Sequence, residues 1–342
     1  MTSATREALD AATTRRGQAA IGALATGVAV AGGTAVLTRL RRGEDRAYRL
    51  RREEAVAEGI RRMAAGRADD ALDQLRGAGA AEPAAAVHEA RKDLKKLRAV
   101  IRMARDALGE EPYRRENDRY RDAGRLLSGI RDAHVRVQTF EALRERFPGE
   151  LDDPELGAVV RQGDAGASTS REGNGLGPFD RAAREIEAGR EAIPGWELEG
   201  EDWDLLEAGV RRSYRRGRNR FGDVSADATD ENVHEWRKRV KDLWYHLRIL
   251  APAHPKRIGG MADGVHELSD LLGDHHDLAV LRDHVSDNGA MAHASSLFML
   301  RRAINRRQDE LLAKALRSGG KLYAPKPKAF TKKLRSRWRD WR

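Results

Sequence analysis

The sequence predicts an all-α fold built as two pseudo-repeats behind an N-terminal arm rich in alanine and glycine. Three observations predict it. Charged residues make up 35% of the chain and aromatics 5%, and alanine, leucine, arginine and glutamate dominate with few β-branched runs, a mixture that favours helix almost throughout. Long stretches place apolar residues at alternating spacings of three and four, the period of an amphipathic helix. The chain also repeats itself. Residues 87–97 read V-H-E-A-R-K-D-L-K-K-L and residues 233–243 read V-H-E-W-R-K-R-V-K-D-L. Leu126-Leu127-Ser128-Gly129-Ile130-Arg131-Asp132-Ala133-His134-Val135 is matched in turn by Leu271-Leu272-Gly273-Asp274-His275-His276-Asp277-Leu278-Ala279-Val280. The offsets are 146 and 145 residues, and two ordered matches at nearly one offset indicate an internal duplication.

The elements follow in order. Residues 1–44 form the arm. Within it, residues 19–37 carry no charge and are flanked by Arg15 and Arg16 before, and by Arg39, Arg41 and Arg42 after. As a helix they would span roughly 28 Å, close to a bilayer core. They are built mostly from small residues, so a membrane anchor and a loosely helical arm both stay open. If the segment spans, its heavier C-terminal basic flank keeps the main body cytoplasmic. No small-x-small cleavage site marks a secretory signal. Residues 45–342 form the main domain, with repeat one over about 48–200 and repeat two over about 201–342.

Tyr48 to Leu75 reads as a helix with Ile60, Met63, Ala64, Ala71 and Leu75 on its core face, and residues 77–83 break it. A long helix is expected over 84–108, stopped by Gly109 and Pro112, then one over 113–128. Asp132 opens a helix to Arg146. Residues 163–178 read as a Gly/Ser loop. Helices are expected over 179–192, 202–220, 232–250, 256–272, 277–285 and 291–316. Asp132 and Asp277 stand where N-caps are needed after a loop. Pro325 and Pro327 precede a final basic helix.

In the helix of 84–108, Val87, Ala90, Leu94, Leu97, Ile101, Ala104 and Leu108 form a core seam. His88, Arg91, Lys92, Lys95, Arg98 and Arg102 recur at the same spacings and form a second stripe, roughly 120° round the helix at about 100° per residue. The acids Glu89 and Asp93 fall mostly off it. In the second copy His234, Arg237, Lys238, Lys241, Tyr245 and Arg248 line one stripe. Like charges three and four apart repel, so two such stripes point to a polyanion. The net charge of +10, from 64 Lys+Arg against 54 Asp+Glu, matters less than this placement. The absence of cysteine excludes disulfides and thiolate metal sites and is compatible with the cytoplasm.

The phrase H-x-x-R-x-x-x-[KR]-[KR]-x-R, followed by L-G-x-x-R-D-x-x-V, resembles the CHAD family, the conserved-histidine α-helical domain. The resemblance covers roughly residues 48–342. His88, Arg91, Lys95, Lys96 and Arg98 sit on the family's pattern in the first copy, and His234, Arg237 and Lys241 in the second. Tyr214-Arg215-Arg216-Gly217-Arg218 resembles the basic helix between the family's halves, and Lys326-Pro327-Lys328-Ala329-Phe330 its C-terminal segment. Asp242 and Trp244 depart from the pattern, as do Ser128 and His276. The resemblance implies two four-helix repeats around a basic cavity that binds inorganic polyphosphate, with no catalytic activity and no cofactor. The cavity residues expected are His88, Arg91, Lys92, Lys95, Lys96, Arg98, Arg102, His234, Arg237, Lys238, Lys241 and Arg248, with Arg125, Arg131, Tyr214, Arg215 and Arg218 as further candidates. Targeting to polyphosphate granules and regulation of phosphate metabolism both fit such a binder.

Two other chemistries compete. His275, His276 and Asp277, with His266 and His284, offer metal ligands of a histidine–aspartate phosphohydrolase. The duplication speaks against this, because Ile130 and Arg131 stand opposite His275 and His276. Neither an E-x-E-x-K triphosphatase signature nor a phosphate loop ending in Gly-Lys-Ser/Thr occurs. Nucleic acid shares the phosphate chemistry, but base stacking wants aromatic platforms. Trp236, Trp244, Tyr245, Trp338 and Trp341 are few and suit helix packing.

Overall fold

Tyr48 and Leu50 are fully buried yet precede the first helix, which begins later than periodicity alone suggests. Their segment is pinned instead. Leu50 N–H donates to Ile249 O at 3.3 Å, and the Tyr48 hydroxyl donates to Lys96 O at 2.8 Å. In this computed structural model the described residues are 48–77, 83–127, 132–162, 177–288 and 293–342. The arm, its 19–37 segment and residues 163–176 lie outside them. No helix among the described residues is long and apolar enough to cross a membrane.

The helices are α1 (Val56–Gly77), α2 (Pro83–Met103), α3 (Arg105–Leu108), α4 (Glu110–Leu126), α5 (Asp132–Arg146), α6 (Pro154–Arg161), α7 (Pro178–Ala192), α8 (Asp204–Ala226), α9 (Asp230–Leu250), α10 (Gly260–Asn288), α11 (Ala294–Tyr323) and α12 (Pro327–Trp341). The described residues contain helices and turns and no strand, as composition predicts. The seven seam residues from Val87 to Leu108 are all buried.

Four expectations are corrected. The predicted helix over 84–108 stops at Met103, because Ala104 takes φ −88° and ψ 8° and starts the short α3. Pro112 is no stop: it lies in the first turn of α4, where a helix needs no N–H. α6 was not anticipated, although Asp153 caps it by accepting from Glu155 N–H and Pro154 opens it, a legible start signal. The predicted break between residues 272 and 277 is absent. α10 runs straight through, so Asp277 is mid-helix rather than an N-cap. Tertiary packing overrides the glycine there: Leu272, Gly273, His275 and Leu278 are all buried. Asp132 does open α5.

α1, α2, α4 and α7 pack in a closed ring, each touching two others. α8, α9, α10 and α11 close a second ring in the same way. Where the rings meet, α2 packs on α8 and α9. The α5–α6 pair departs from its own half: it lies against α10, and α5 also meets α11. Phe140, Leu143 and Phe147 of that region share a cluster with Leu281, Leu300 and Ile304. Each such fully buried side chain contributes roughly 1.5–3 kcal/mol. α12 packs on α8, with Trp338 Nε1 donating to Asp202 at 2.8 Å.

Candidate functional site

The two histidine-headed phrases occupy the second helix of each ring, α2 and α9, and each reaches the third helix through its arginine. Arg91 Nη1 donates to Leu127 O at the end of α4, at 3.4 Å. Arg237 lies on α10 at Gly273, one residue beyond Leu272, the counterpart of Leu127; a Cβ there would come 3.6 Å from the Arg237 guanidinium. The lysines also behave alike. Lys92 pairs with Glu89 at 2.7 Å and Lys238 pairs with Glu235, so the acids beside the stripe engage these two cations rather than leaving them to a ligand.

α2 and α9 cross in opposite directions. His246 Nε2 bonds Ala99 O at 3.0 Å, and Arg102 Nη2 meets Asp242 at 2.8 Å. Stepping forward along α2 means stepping back along α9. His88 is therefore about 21 Å from Arg102 along one helix, and His234 about 12 Å from Asp242 along the other, on opposite sides of the crossing. The antiparallel order of these contacts places the two heads toward opposite ends of the α2–α9 crossing. His88 is half-buried, with Glu89 4.0 Å from its Nε2. The His234 ring sits against His276, centroids 4.2 Å apart. Burial, followed by the nearby His276, Lys238 and Arg237, pushes His234 down to about 4, so it is neutral at physiological pH.

The crossing brings equivalent positions of the two copies into two different environments. On one side Asp93 binds Arg67 and Lys96, both at 2.9 Å, while Arg248 lies over Trp244 at 5.0 Å and Tyr48 at 5.8 Å. That side is neutralised and aromatic. On the other side the residues 146 positions on are Arg239 and Asp242, and the balance reverses. Asp242 binds Arg102 at 2.8 Å and Arg239 at 3.1 Å. Arg98 and Arg216 lie near it and make no ion pair among the described residues; Arg98 Nε donates to Asn117 Oδ1 at 3.3 Å. Burial, and then the charges of Arg102 and Arg121, lower the Arg98 guanidinium to about 10. Arg216 keeps part of its side chain exposed; partial desolvation, and then Arg239, lower its guanidinium. Four guanidiniums from α2, α8 and α9 thus crowd Asp242, with Glu235 at 3.7 Å from Arg239 as a further carboxylate.

A close helix approach builds this cluster. A side chain at Gly209 would collide with the Met103 carbonyl, so glycine lets α8 settle on the end of α2. That contact sets Arg212, Ser213 and Arg216 over Arg102 and Arg105, around a cavity of about 20 Å³. Ser213 Oγ, Arg102 Nε, Arg212 Nη1 and His246 Nδ1 are buried there without a hydrogen-bond partner, a cost of the kind that a bound polar group relieves. Arg105 and Arg121 stand at the rim, held by Glu110 at 2.7 Å and Asp118 at 2.6 Å.

Of the expected residues, Arg98 and Arg102 reach the cluster. Arg91 and Lys95 lead to it along α2, both half-buried. Arg237 and Lys241 lie on α9, with Arg237 turned toward α10. Several others have structural places. Lys96 is held in the Asp93 network, and Arg248 on its aromatic rings. Tyr214 is fully buried, its hydroxyl 2.9 Å from both Leu322 O and Pro325 O. Arg218 Nε donates to Tyr323 O at 3.0 Å. Arg125 is exposed beside Asp122 at 3.2 Å, and Arg215 is exposed. Arg131 lies outside the described residues. Arg105, Arg121, Arg212, Arg216 and Arg239 were missed. Arg216 was legible in the basic Tyr214–Arg218 helix; Arg239 was not, because it falls off the repeated stripe.

The CHAD domain family model matches residues 62–286. The chain belongs to the CHAD family. Among solved structures this CHAD protein is similar to "PptA from Streptomyces chartreusis", with 12% identity and a TM-score of 0.52, over 79% of this chain and 99% of that one. It is also similar to the CHAD domain from the plant Ricinus communis, with 15% identity and a TM-score of 0.49, over 86% of this chain and 96% of that one. At such identities the likeness concerns the fold. No curated protein matches the chain.

His266, His275, His276 and His284 do not converge as one ligand group among the described residues. His266 pairs with Asp270 at 3.1 Å, and His284 Nε2 bonds Val159 O at 3.1 Å. His275 is buried near Asp230 at 3.8 Å, and His276 faces His234. The close group of potential ligands among those residues is elsewhere, Asp153, Glu155 and His293, and Asp153 is already occupied as a helix cap. Trp236 and Trp338 are buried, which removes them as stacking platforms for bases.

Proposed function

We propose that this CHAD domain binds inorganic polyphosphate and holds it without cleaving it, the activity that family membership implies. The observation that carries the reading is the crowding of Arg98, Arg102, Arg216 and Arg239 around the carboxylate of Asp242. Phosphate oxygens supply the missing negative charge, and guanidinium forks grip them in pairs. Arg91 and Lys95 extend the cationic track along α2, about 16 Å from Arg91 to Arg102. One orthophosphate cannot span it, whereas a linked chain engages each further cation at high effective concentration.

Titration calorimetry with orthophosphate, triphosphate, long polyphosphate and a DNA duplex tests this. Long polyphosphate is expected to bind far more tightly than triphosphate, and orthophosphate barely. Affinity should fall steeply with salt, as counterion release requires. Arg98→Glu with Arg216→Glu should abolish binding at unchanged helicity. Equal affinity for triphosphate and long chains would replace the track with a compact pocket, and tighter binding of the duplex would replace polyphosphate with nucleic acid.

A further inference from the structure

A second cavity stands away from the cation cluster. It lies between α10, α11 and α12 and has a volume of about 560 Å³. Ligand pockets commonly fall between about 300 and 1,000 Å³. Its floor is apolar: Ile258, Val265, Leu268, Phe330 and Leu334 are buried side chains of the lining. Four cations stand around it, Arg257, Lys321, Lys333 and Arg337. None of them makes an ion pair with a carboxylate among the described residues, although most of the described arginines do. Glu267, the one acid of the lining, makes none either. None of these residues belongs to the histidine-headed stripes, so polyphosphate binding leaves this concavity unexplained.

An apolar floor ringed by unpaired cations is complementary to one chemistry. A hydrocarbon body covers the floor, burying apolar surface at about 25 cal/mol per Å². An anionic head meets the rim, while the lysine and arginine stems add apolar wall beneath their charged ends. A cationic or purely polar ligand gains only half of this. The geometry points to a second binding site, specific for a small amphipathic anion: a single carboxylate or phosphate head on an apolar body. It is separate from the polyphosphate site and does not rest on that reading.

Gly264 provides a clean test. It lines the cavity, sits within α10, and a Cβ built on it meets nothing within 4 Å. Gly264→Leu fills the mouth and replaces a poor helix former with a good one, so the fold is retained, and circular dichroism confirms it. Decanoate, 1-decanol and decyltrimethylammonium are titrated into the full chain below their micelle concentrations. Decanoate is expected to bind at one saturable site, with 1-decanol at least about tenfold weaker and the cation weaker still, a difference of about 1.4 kcal/mol or more. Gly264→Leu and the pair Lys321→Glu with Lys333→Glu should each weaken decanoate about tenfold or more, while long-polyphosphate affinity stays unchanged in Gly264→Leu. Equal binding of the three amphiphiles, no binding of decanoate, or decanoate binding indifferent to Gly264→Leu would each overturn the proposal. A loss of polyphosphate affinity in Gly264→Leu would overturn it too, because the rim would then belong to the polyphosphate path.

Discussion

Asp242→Asn should make the unliganded protein less stable and the polyphosphate complex tighter. Asp242 is only 17% exposed and meets Arg102 and Arg239 at 2.8 and 3.1 Å. Asparagine keeps the shape and one acceptor but no charge. A charge-assisted hydrogen bond is worth about 1.5–3 kcal/mol, and a carboxylate in part contact with water sits near the low end, so about 2 kcal/mol of stability is lost. For a chain of this size that lowers Tm by about 4 °C. The same substitution removes the negative charge at the centre of the cluster, between Arg102 and Arg239. At about 6 Å and an effective dielectric near 20, carboxylate and phosphate repel by about 3 kcal/mol, and salt removes about half. Affinity should therefore rise about tenfold. Thermal melts with and without long polyphosphate, together with calorimetry at low salt, measure both signs. Added polyphosphate should restore more Tm to the variant than to the parent protein. Lower affinity in Asp242→Asn, or unchanged affinity, would refute the placement of the ligand at this cluster.

Other outcomes are expected. His246 is fully buried, and burial pushes it down to about 4 from its ordinary value near 6.5. The unfolded chain then takes up its proton first, so stability is whole above about pH 6.5 and falls by up to about 3 kcal/mol between there and about pH 4; urea midpoints across that range should decline, and His246→Gln should flatten the decline. Gly209→Ala forces α8 off the Met103 carbonyl and should cost about 1–3 kcal/mol, with weaker polyphosphate binding because Arg212 and Arg216 move; an unaltered denaturation curve would count against the close approach. Purified protein should release no phosphate from polyphosphate or triphosphate, with or without divalent metal, and turnover abolished by His276→Ala would replace the binding reading with a hydrolytic one. Arg91→Glu with Lys95→Glu should weaken long polyphosphate more than triphosphate, since both residues extend the track beyond the Asp242 cluster; equal losses would confine the ligand to the cluster.

The sequence alone determined what local physics dictates. Helical periodicity and composition specified an all-α chain, and the seam from Val87 to Leu108 is buried residue for residue. The duplication was legible because each copy must repeat the same contacts: an arginine of the second helix reaching the third, and a lysine paired three residues back. Its first stripe contains Arg98 and Arg102, two of the guanidiniums that meet around Asp242. What the sequence did not determine is which way the two duplicated helices cross. A stripe records the face of one helix and carries no information on the direction of its partner. The antiparallel crossing of α2 and α9 puts His88 and His234 toward opposite ends of the contact, sets Asp242 against Arg102, and leaves one side of the crossing aromatic and charge-paired and the other cationic. Arg239, Arg212 and Arg105 enter the site only through that crossing and through the glycine contact that seats α8. The continuity of α10 through Gly273 has the same origin: neighbours on both sides outweigh a local propensity to break.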